Sequence, residues 1–322
     1  MDDLCFPERL NASCRKPEIH QHKAVFVYLL FFISVLTVVL NLLVIISVSH
    51  FRKLHTPTNL LLLSLAVSDF LLGLVTPLEL HRQIGCWFLG DSLCSLHGYV
   101  SSIIFGASIG NMILISVDRY VAICDPLHYP TRVTVRRVKI CVCVCWTCSV
   151  VYNALILKDF LTKSGQYTSC YGQCVAILDY ISGIFDAVFS SIAPITVIII
   201  LYMRVFVTAV SQARAMRSHV AAVTLQHSGT VKTKKSELKA ARTLGVVVLV
   251  FLMCFCPYFC LSFVQNIPGG GLPATFAFFL LYISPCLNPV IYALFYPWFR
   301  KAIRLIFSLQ ILQPGSSETN ML

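Results

Sequence analysis

Residues Val175 to Met203 read VAILDYISGIFDAVFSSIAPITVIIILYM. A helix of that length crosses a bilayer core of about 30 Å, yet this one carries Asp186, flanked by Ile184-Phe185 and Ala187-Val188-Phe189-Ser190-Ser191. A carboxylate at membrane depth costs at least about 2.5 kcal/mol and is normally kept for a function. Asp179, Ser182, Asp186 and Ser190 recur three or four residues apart, which predicts one polar helical face turned toward a protein interior. A carboxylate enclosed there needs a cation, and that cation is expected to be the ligand.

The rest of the chain has the same character. It is 57% apolar and 12% charged with a mean hydropathy of +0.79, well beyond an ordinary soluble domain. Seven apolar runs are read at about 24–49, 58–81, 94–123, 138–158, 178–208, 240–265 and 273–295. They are continuous where a membrane barrel would alternate, so the fold class expected is an all-α bundle of seven membrane helices. Residues 1–23 form an outer segment, 24–295 the membrane domain, and 296–322 a short amphipathic helix and a tail. The first run is too long and too far along the chain for a cleaved signal peptide.

Charge sets the expected orientation. With the amino terminus outside, eighteen of the 25 Lys and Arg fall on cytoplasmic segments or helix ends, which puts the tail inside the cell and makes the chain a multi-pass protein of the plasma membrane. The net charge of +11 then reflects topology and anionic inner-leaflet lipid, and nucleic acid is not an expected partner. Cys5, Cys14, Cys86, Cys94, Cys170 and Cys174 all fall outside, where disulfides persist. Cys141, Cys143, Cys145, Cys148, Cys254, Cys256, Cys260 and Cys286 sit in membrane helices and are expected to pack as small apolar residues. Asn11-Ala12-Ser13 is a glycosylation sequon on the outer segment. Residues 211–239 and the polar tail from Gln313 are the low-complexity segments. No nucleophile and base pair and no metal-ligand spacing is present, so an enzyme is not expected.

Short signatures mark every run. Asn41 lies in the first and Leu65-Ala66-Val67-Ser68-Asp69 in the second. Asp118-Arg119-Tyr120 closes the third, Trp146 lies in the fourth and Pro194 in the fifth. Phe251 to Pro257 (FLMCFCP) lies in the sixth, and Asn288-Pro289-Val290-Ile291-Tyr292 ends the seventh. In this order, over nearly the whole length, the chain resembles the rhodopsin-like G protein-coupled receptors.

A narrower likeness lies in Asn288 to Ala302 (NPVIYALFYPWFRKA), Ser49 to Asn59 (SHFRKLHTPTN), Cys124 to Tyr129 (CDPLHY) and Lys239 to Gly245 (KAARTLG). These segments resemble the trace amine-associated receptors, mostly olfactory detectors of volatile amines coupled to a stimulatory G protein. That resemblance implies a small amine as ligand, a rise in cyclic AMP, and arrestin and receptor kinases as further partners. The chain departs from the family at Ser284-Pro285, which replaces an Asn-Ser pair, and at Phe255, which replaces a Trp. It also departs at the family's amine-binding Asp in helix three, eighteen residues before Arg119, where Ser101 stands. Eight residues before Pro194, Asp186 matches the helix-five Asp of a group of fish-type members that lack the helix-three site. The cation site is therefore expected to have moved to helix five, with Ser190 one turn further on.

Spacing from Arg119, Pro257 and Pro289 puts Phe105, Tyr258, Phe259, Phe278 and Tyr282 on inward faces, where aromatic rings can cradle a cation. Glu79, ten residues after Asp69, would form with Asp186 two anionic poles suited to a diamine. A local pair of Glu79 with Arg82 or His97 is the favoured alternative. The resemblance further implies an activation path through Asp118, Arg119 and Tyr120, a contact of Arg119 with Glu237, and repacking at Ile109, Pro194, Phe251 and Phe255. Tyr202, Asn288, Pro289 and Tyr292 complete that path. It implies a sodium ion at Asp69, Ser108 and Asn288, against which a water-filled network remains open; no other cofactor is expected. It also implies disulfides Cys94 to Cys174 and Cys170 to Cys14, the latter preferred over Cys5. A family receptor for a non-amine ligand, with Asp186 structural, is the first alternative, and a transporter of organic cations the second.

Overall fold

In hydrocarbon a chain must satisfy its backbone within itself, and helices do so without edges. The computed structural model describes residues 4–8, 12–16, 21–162, 170–175, 178–222, 245–261 and 272–321. Within them the seven apolar runs are helical: α1 Gln21–His50, α2 Pro57–Ile84, α3 Asp91–Cys124, α4 Val135–Ile156, α5 Tyr180–Ala222, α6 Gly245–Leu261 and α7 Leu272–Phe295. α8, Pro297–Phe307, follows with one residue between. The predicted runs agree within a few residues, except that α5 runs on to Ala222 where 208 was read; the ends read for the sixth run lie outside the described residues. Thr56 accepts a hydrogen bond from the Asn59 amide ahead of Pro57 and so fixes the start of α2; Thr134 does the same for α4 through Arg137.

α3 runs through the middle, against α2, α4 and α5. Its approach to α4 depends on Gly106 and Gly110, one turn apart. A Cβ on Gly106 would stand 2.5 Å from Ser149 Oγ, and one on Gly110 would stand 2.4 Å from Cys145 Sγ. The closeness lets Ser149 Oγ donate to the Ile103 carbonyl at 2.9 Å. Small residues four apart are the usual means by which membrane helices approach.

Buried polar side chains tie the helices across the bundle. Asn41 donates to the Pro285 carbonyl at 3.1 Å, joining α1 to α7 at a carbonyl beside a helix-interior proline. Trp146 Nε1 donates to Ser64 at 3.1 Å, and Ser64 to Asn111 at 2.8 Å, joining α4, α2 and α3. Asn288 Nδ2 donates to Asp69 at 2.8 Å.

Three disulfides close one end: Cys94–Cys174, Cys14–Cys170 and Cys5–Cys86. The first two are the expected pairs; the third, which gives Cys5 and Cys86 to each other, was not anticipated. The outer segment also pairs with the loop before α5 through its backbone, Cys14 N to Tyr171 O at 2.8 Å and Tyr171 N to Ala12 O at 2.7 Å. Gly172, at φ +104, makes room for Cys5, whose Cβ would lie 2.7 Å from a side chain there. Asn11 lies outside the described residues.

Two expectations need correction. Cys141, Cys143, Cys148 and Cys260 do not pack inside: they are exposed, Cys141 and Cys148 where they border a cavity, while Cys254 and Cys286 are buried. The tail is not without structure. Turns at Gln310–Leu312 and Ser316–Glu318 fold it back, Ser316 meets His50 at 2.9 Å, and Met321 joins the buried cluster that holds Phe51 and Leu54. The apolar residues Ile311 and Met321 account for this, since they give an otherwise polar tail something to bury. α8 is amphipathic as predicted, burying Trp298, Phe299 and Ala302 and exposing Arg300, Lys301 and Arg304.

Gly110→Val places a branched side chain where Cys145 Sγ now lies. Overpacking of this kind costs about 1–3 kcal/mol, so a lower melting temperature of the purified protein and reduced yield in the membrane are expected; unchanged values would refute the tight α3–α4 contact.

Candidate ligand site

A cavity of about 850 Å³ opens between the helices toward the disulfide end. Every residue predicted to bind ligand lines it: Glu79, Ser101, Phe105, Asp186, Ser190, Tyr258, Phe259, Phe278 and Tyr282. The rings pack in two groups along its wall. Phe278 and Tyr282 lie 4.5 Å apart, Tyr282 meets Phe105 edge-on at 5.6 Å, and Tyr258 meets Phe259 at 5.6 Å. Below them Phe255 also borders the cavity and stacks on Phe251 at 4.0 Å. Ile109 and Pro194 border it as well.

Asp186 sits where α5 changes pitch. The helix is α from Tyr180 to Asp186, π from Ala187 to Ile192 and α again from Ala193. The single polar face predicted over residues 179–190 is corrected at its start. Asp179 is the N-cap, exposed to solvent, and the Ser182 backbone N–H holds its carboxyl below the ordinary carboxylate range. It is a cap and not part of the cavity. A π turn adds a residue to the helix, so constant 3.6-residue spacing fails here; π turns often mark functional sites. The Ser190 hydroxyl donates to the Asp186 carbonyl at 2.6 Å.

The carboxylate of Asp186 is partly buried, and the Tyr152 hydroxyl of α4 donates to its Oδ1 at 3.0 Å. Tyr152 lines the cavity too and stacks near Phe185, 6.4 Å between centroids. No pattern in the sequence of α4 singles out Tyr152. Ser101, opposite on α3, has a buried hydroxyl with no hydrogen-bond partner among the described residues. Glu79 is not a second open anionic pole: Arg82 Nε and Nη2 reach it at 2.8 and 2.5 Å, and His97 Nε2 lies 3.1 Å away. Both partners named as alternatives are engaged together, because α2 and α3 bring Arg82 and His97 to the same carboxylate.

At the other end Asp118 and Arg119 form a buried ion pair. Thr58 donates to Asp118 at 3.0 Å and accepts from Arg119 Nη2 at 2.6 Å, and the Tyr129 hydroxyl donates to Asp118 at 2.9 Å. Thr58 and Tyr129 stand in segments read only as family likeness, and no spacing pointed to their partner. Tyr120 faces outward, 37% exposed, away from this cluster because it follows Arg119 around the helix. Tyr202 of α5 stands within electrostatic reach of Arg119. Glu237 lies outside the described residues.

Between the two ends, Asp69 has Ser108 as a second neighbour beside Asn288. Asp69 Oδ1, Asn288 Oδ1 and the Tyr292 hydroxyl are buried without a hydrogen-bond partner among the described residues. Pro289 lies within α7 one residue on. Among the described residues no cluster of three or more His, Cys, Asp or Glu is arranged to hold a metal.

Seven membrane helices, a polar centre on α2 and α7, an Asp-Arg pair ending α3 and a cavity beneath a disulfide define a receptor and not an enzyme. The profile described as "7 transmembrane receptor (rhodopsin family)" matches residues 40–292. Trace amine-associated receptor 13c of Danio rerio is 37% identical over 99% of this chain and 96% of its own length. Trace amine-associated receptor 8a of Rattus norvegicus is also 37% identical, over 99% and 96%. Trace amine-associated receptor 1 of Mus musculus is 36% identical over 88% and 89%. The chain belongs to the rhodopsin family of seven-transmembrane receptors, among the trace amine-associated receptors.

Thr58→Val and Tyr129→Phe each remove a hydrogen bond to the buried Asp118 carboxylate. Bonds to charged groups contribute about 1.5–3 kcal/mol, so each variant is expected to lower the melting temperature of the purified receptor; no change in either would show that the cluster does not hold this end together.

Proposed function

We propose that the receptor binds a protonated amine through Asp186 and signals through a heterotrimeric G protein of the stimulatory type, raising cyclic AMP. The observation that carries this is a carboxylate in the wall of an aromatic-lined cavity, engaged among the described residues by a single neutral hydroxyl. An alkylamine titrates near Lys, at about 10, and arrives as a cation. Asp186 offers it a charge-assisted hydrogen bond, and the rings of Phe105, Phe259 and Phe278 offer faces for its charge and alkyl groups. The names of the relatives supply the amine class. Tyr152 holds one carboxylate oxygen and leaves the other for the ligand, so it positions the acid and does not neutralise it.

The direction of signalling follows from topology. The amino terminus and disulfides lie outside the plasma membrane, and Asp118 and Arg119 lie at the cytoplasmic end. The Asp118, Arg119 and Thr58 cluster holds the inactive arrangement. Ligand contact at Phe255 and Pro194 repacks Ile109 and Phe251, and α6 moves outward in the rigid-body manner of such switches. Tyr202 and Tyr292 receive Arg119 on release. Arrestin and receptor kinases act on the same open state. Olfactory neurons are the site of action that the family implies.

The unpartnered oxygens of Asp69 and Asn288, with Ser108, suit a hard cation such as sodium, which would stabilise the inactive bundle. Agonist affinity is then expected to fall as sodium replaces an organic cation in the buffer. An affinity independent of sodium would assign these oxygens to water.

The main test is a cyclic-AMP reporter with a panel of alkyl and aryl amines. Asp186→Asn keeps the volume and removes the charge; stranding an ammonium costs about 3–5 kcal/mol, several hundredfold or more in potency. The response is expected to vanish in a variant that still reaches the surface, while Ser101→Ala retains it. An Asp186→Asn receptor that responds like the parent would overturn the assignment.

A further inference from the structure

The cavity holds a second charged group that the amine reading leaves without a role. Arg82 of α2 spends two N–H groups on Glu79 and one, from Nη1, on the Cys174 carbonyl at 2.9 Å. A guanidinium has five donors, so two remain beyond these described contacts. The acid is shut in while the base is open: the Glu79 side chain is 8% exposed, His97 3% and Arg82 29%, and Arg82 lines the cavity. Tyr258 and Tyr282, within electrostatic reach of both Glu79 and Arg82, put phenolic donors on the same wall.

Charge decides what this wall can accept. Glu79 and Arg82 cancel, and His97 adds zero or one positive charge, so the α2–α3 side is neutral to positive. Asp186, across on α5, is negative. The cavity is therefore dipolar. A second ammonium would meet Arg82 and His97 with Glu79 already engaged by both. A carboxylate would meet spare guanidinium and phenol donors, and Arg matches carboxylate geometry with parallel N–H bonds.

We propose that the preferred ligand is a zwitterion, an amino acid with separated termini, whose ammonium pairs with Asp186 and whose carboxylate is received by Arg82. Tyr258 and Tyr282 complete the carboxylate pocket, and Glu79 with His97 positions Arg82 without touching the ligand. This rests on the amine reading of Asp186 and narrows it: the second pole is cationic, which selects against diamines.

The test uses purified receptor and ligand-induced thermal stabilisation, a readout independent of any G protein. Three probe series of equal chain length are compared: n-alkylamines, α,ω-diamines and ω-amino acids. At one chain length the amino acid is expected to half-saturate at a concentration at least tenfold below the monoamine, with the diamine the weakest of the three. Arg82→Gln should abolish the advantage of the amino acid and, by leaving Glu79 with one partner fewer, raise the rank of the diamine. Should Arg82→Gln fail to fold, the double variant Glu79→Gln with Arg82→Gln removes the pair without stranding a buried acid, and it too should lose the preference. Amino acids no better than monoamines at every length, with monoamines still dependent on Asp186, would overturn the zwitterion site and leave the amine reading standing. An amino-acid preference that survives both variants would likewise overturn it. Loss of no response in Asp186→Asn would bring down the amine reading, and this one with it.

Discussion

Every buried polar group in this molecule must find its partner in protein, because the surrounding hydrocarbon offers none. That constraint organises the bundle. Asn41 reaches a carbonyl beside Pro285, Trp146 and Asn111 meet at Ser64, and Asn288 meets Asp69. Each bond joins different helices at a fixed depth, so the apolar packing around it has one register to adopt. Non-directional contacts alone would leave seven greasy cylinders free to slide. At the end of α3 the same demand closes Asp118 on Arg119, Thr58 and Tyr129, a cluster that can be opened only by supplying its members with other partners.

The cavity, like the centre at Asp69, Asn288 and Tyr292, is a place where that demand is not fully met among the described residues. Asp186 is held by one hydroxyl, Arg82 keeps donors to spare, and the Ser101 hydroxyl has no partner among the described residues. Such groups are costly in an apolar site, and in an aromatic-lined space they suit a guest. Stability is concentrated in the interhelical ties, and binding capacity in the groups left over.

Much of this was legible in the sequence. Continuous apolar runs located the helices, five of them to within a few residues at both ends, and the amphipathic pattern of Pro297–Phe307 matched α8. Phe105, Tyr258, Phe259, Phe278 and Tyr282 were found by counting from Arg119, Pro257 and Pro289, which works because α3, α6 and α7 keep a regular pitch at those depths. The face read over residues 179–190 failed at its start, because Asp179 caps the helix and stands in solvent; Asp186 and Ser190 both line the cavity although the π turn begins between them. Partners contributed by another helix were harder. Nothing local to Tyr152, Thr58 or Tyr129 says which carboxylate it will meet, and Cys5 could not be matched to Cys86 without knowing that Gly172 makes room. The pair Gly106 and Gly110 was readable, since two glycines four apart in an apolar helix already predict a close neighbour.

The wide turn at Ala187–Ile192 has a consequence for how this site can change. A π turn is in effect an α-helix that has accommodated one extra residue. Upstream of it α5 presents Asp186, and downstream it presents Pro194 and Tyr202 to the core. Because the extra residue lies between them, the two halves of the helix can be re-indexed separately. Losing a residue there would let the helix regain its regular pitch and rotate the carboxylate against a core left in place. In such a helix, ligand preference can be altered by insertion and deletion as readily as by exchanging one side chain for another.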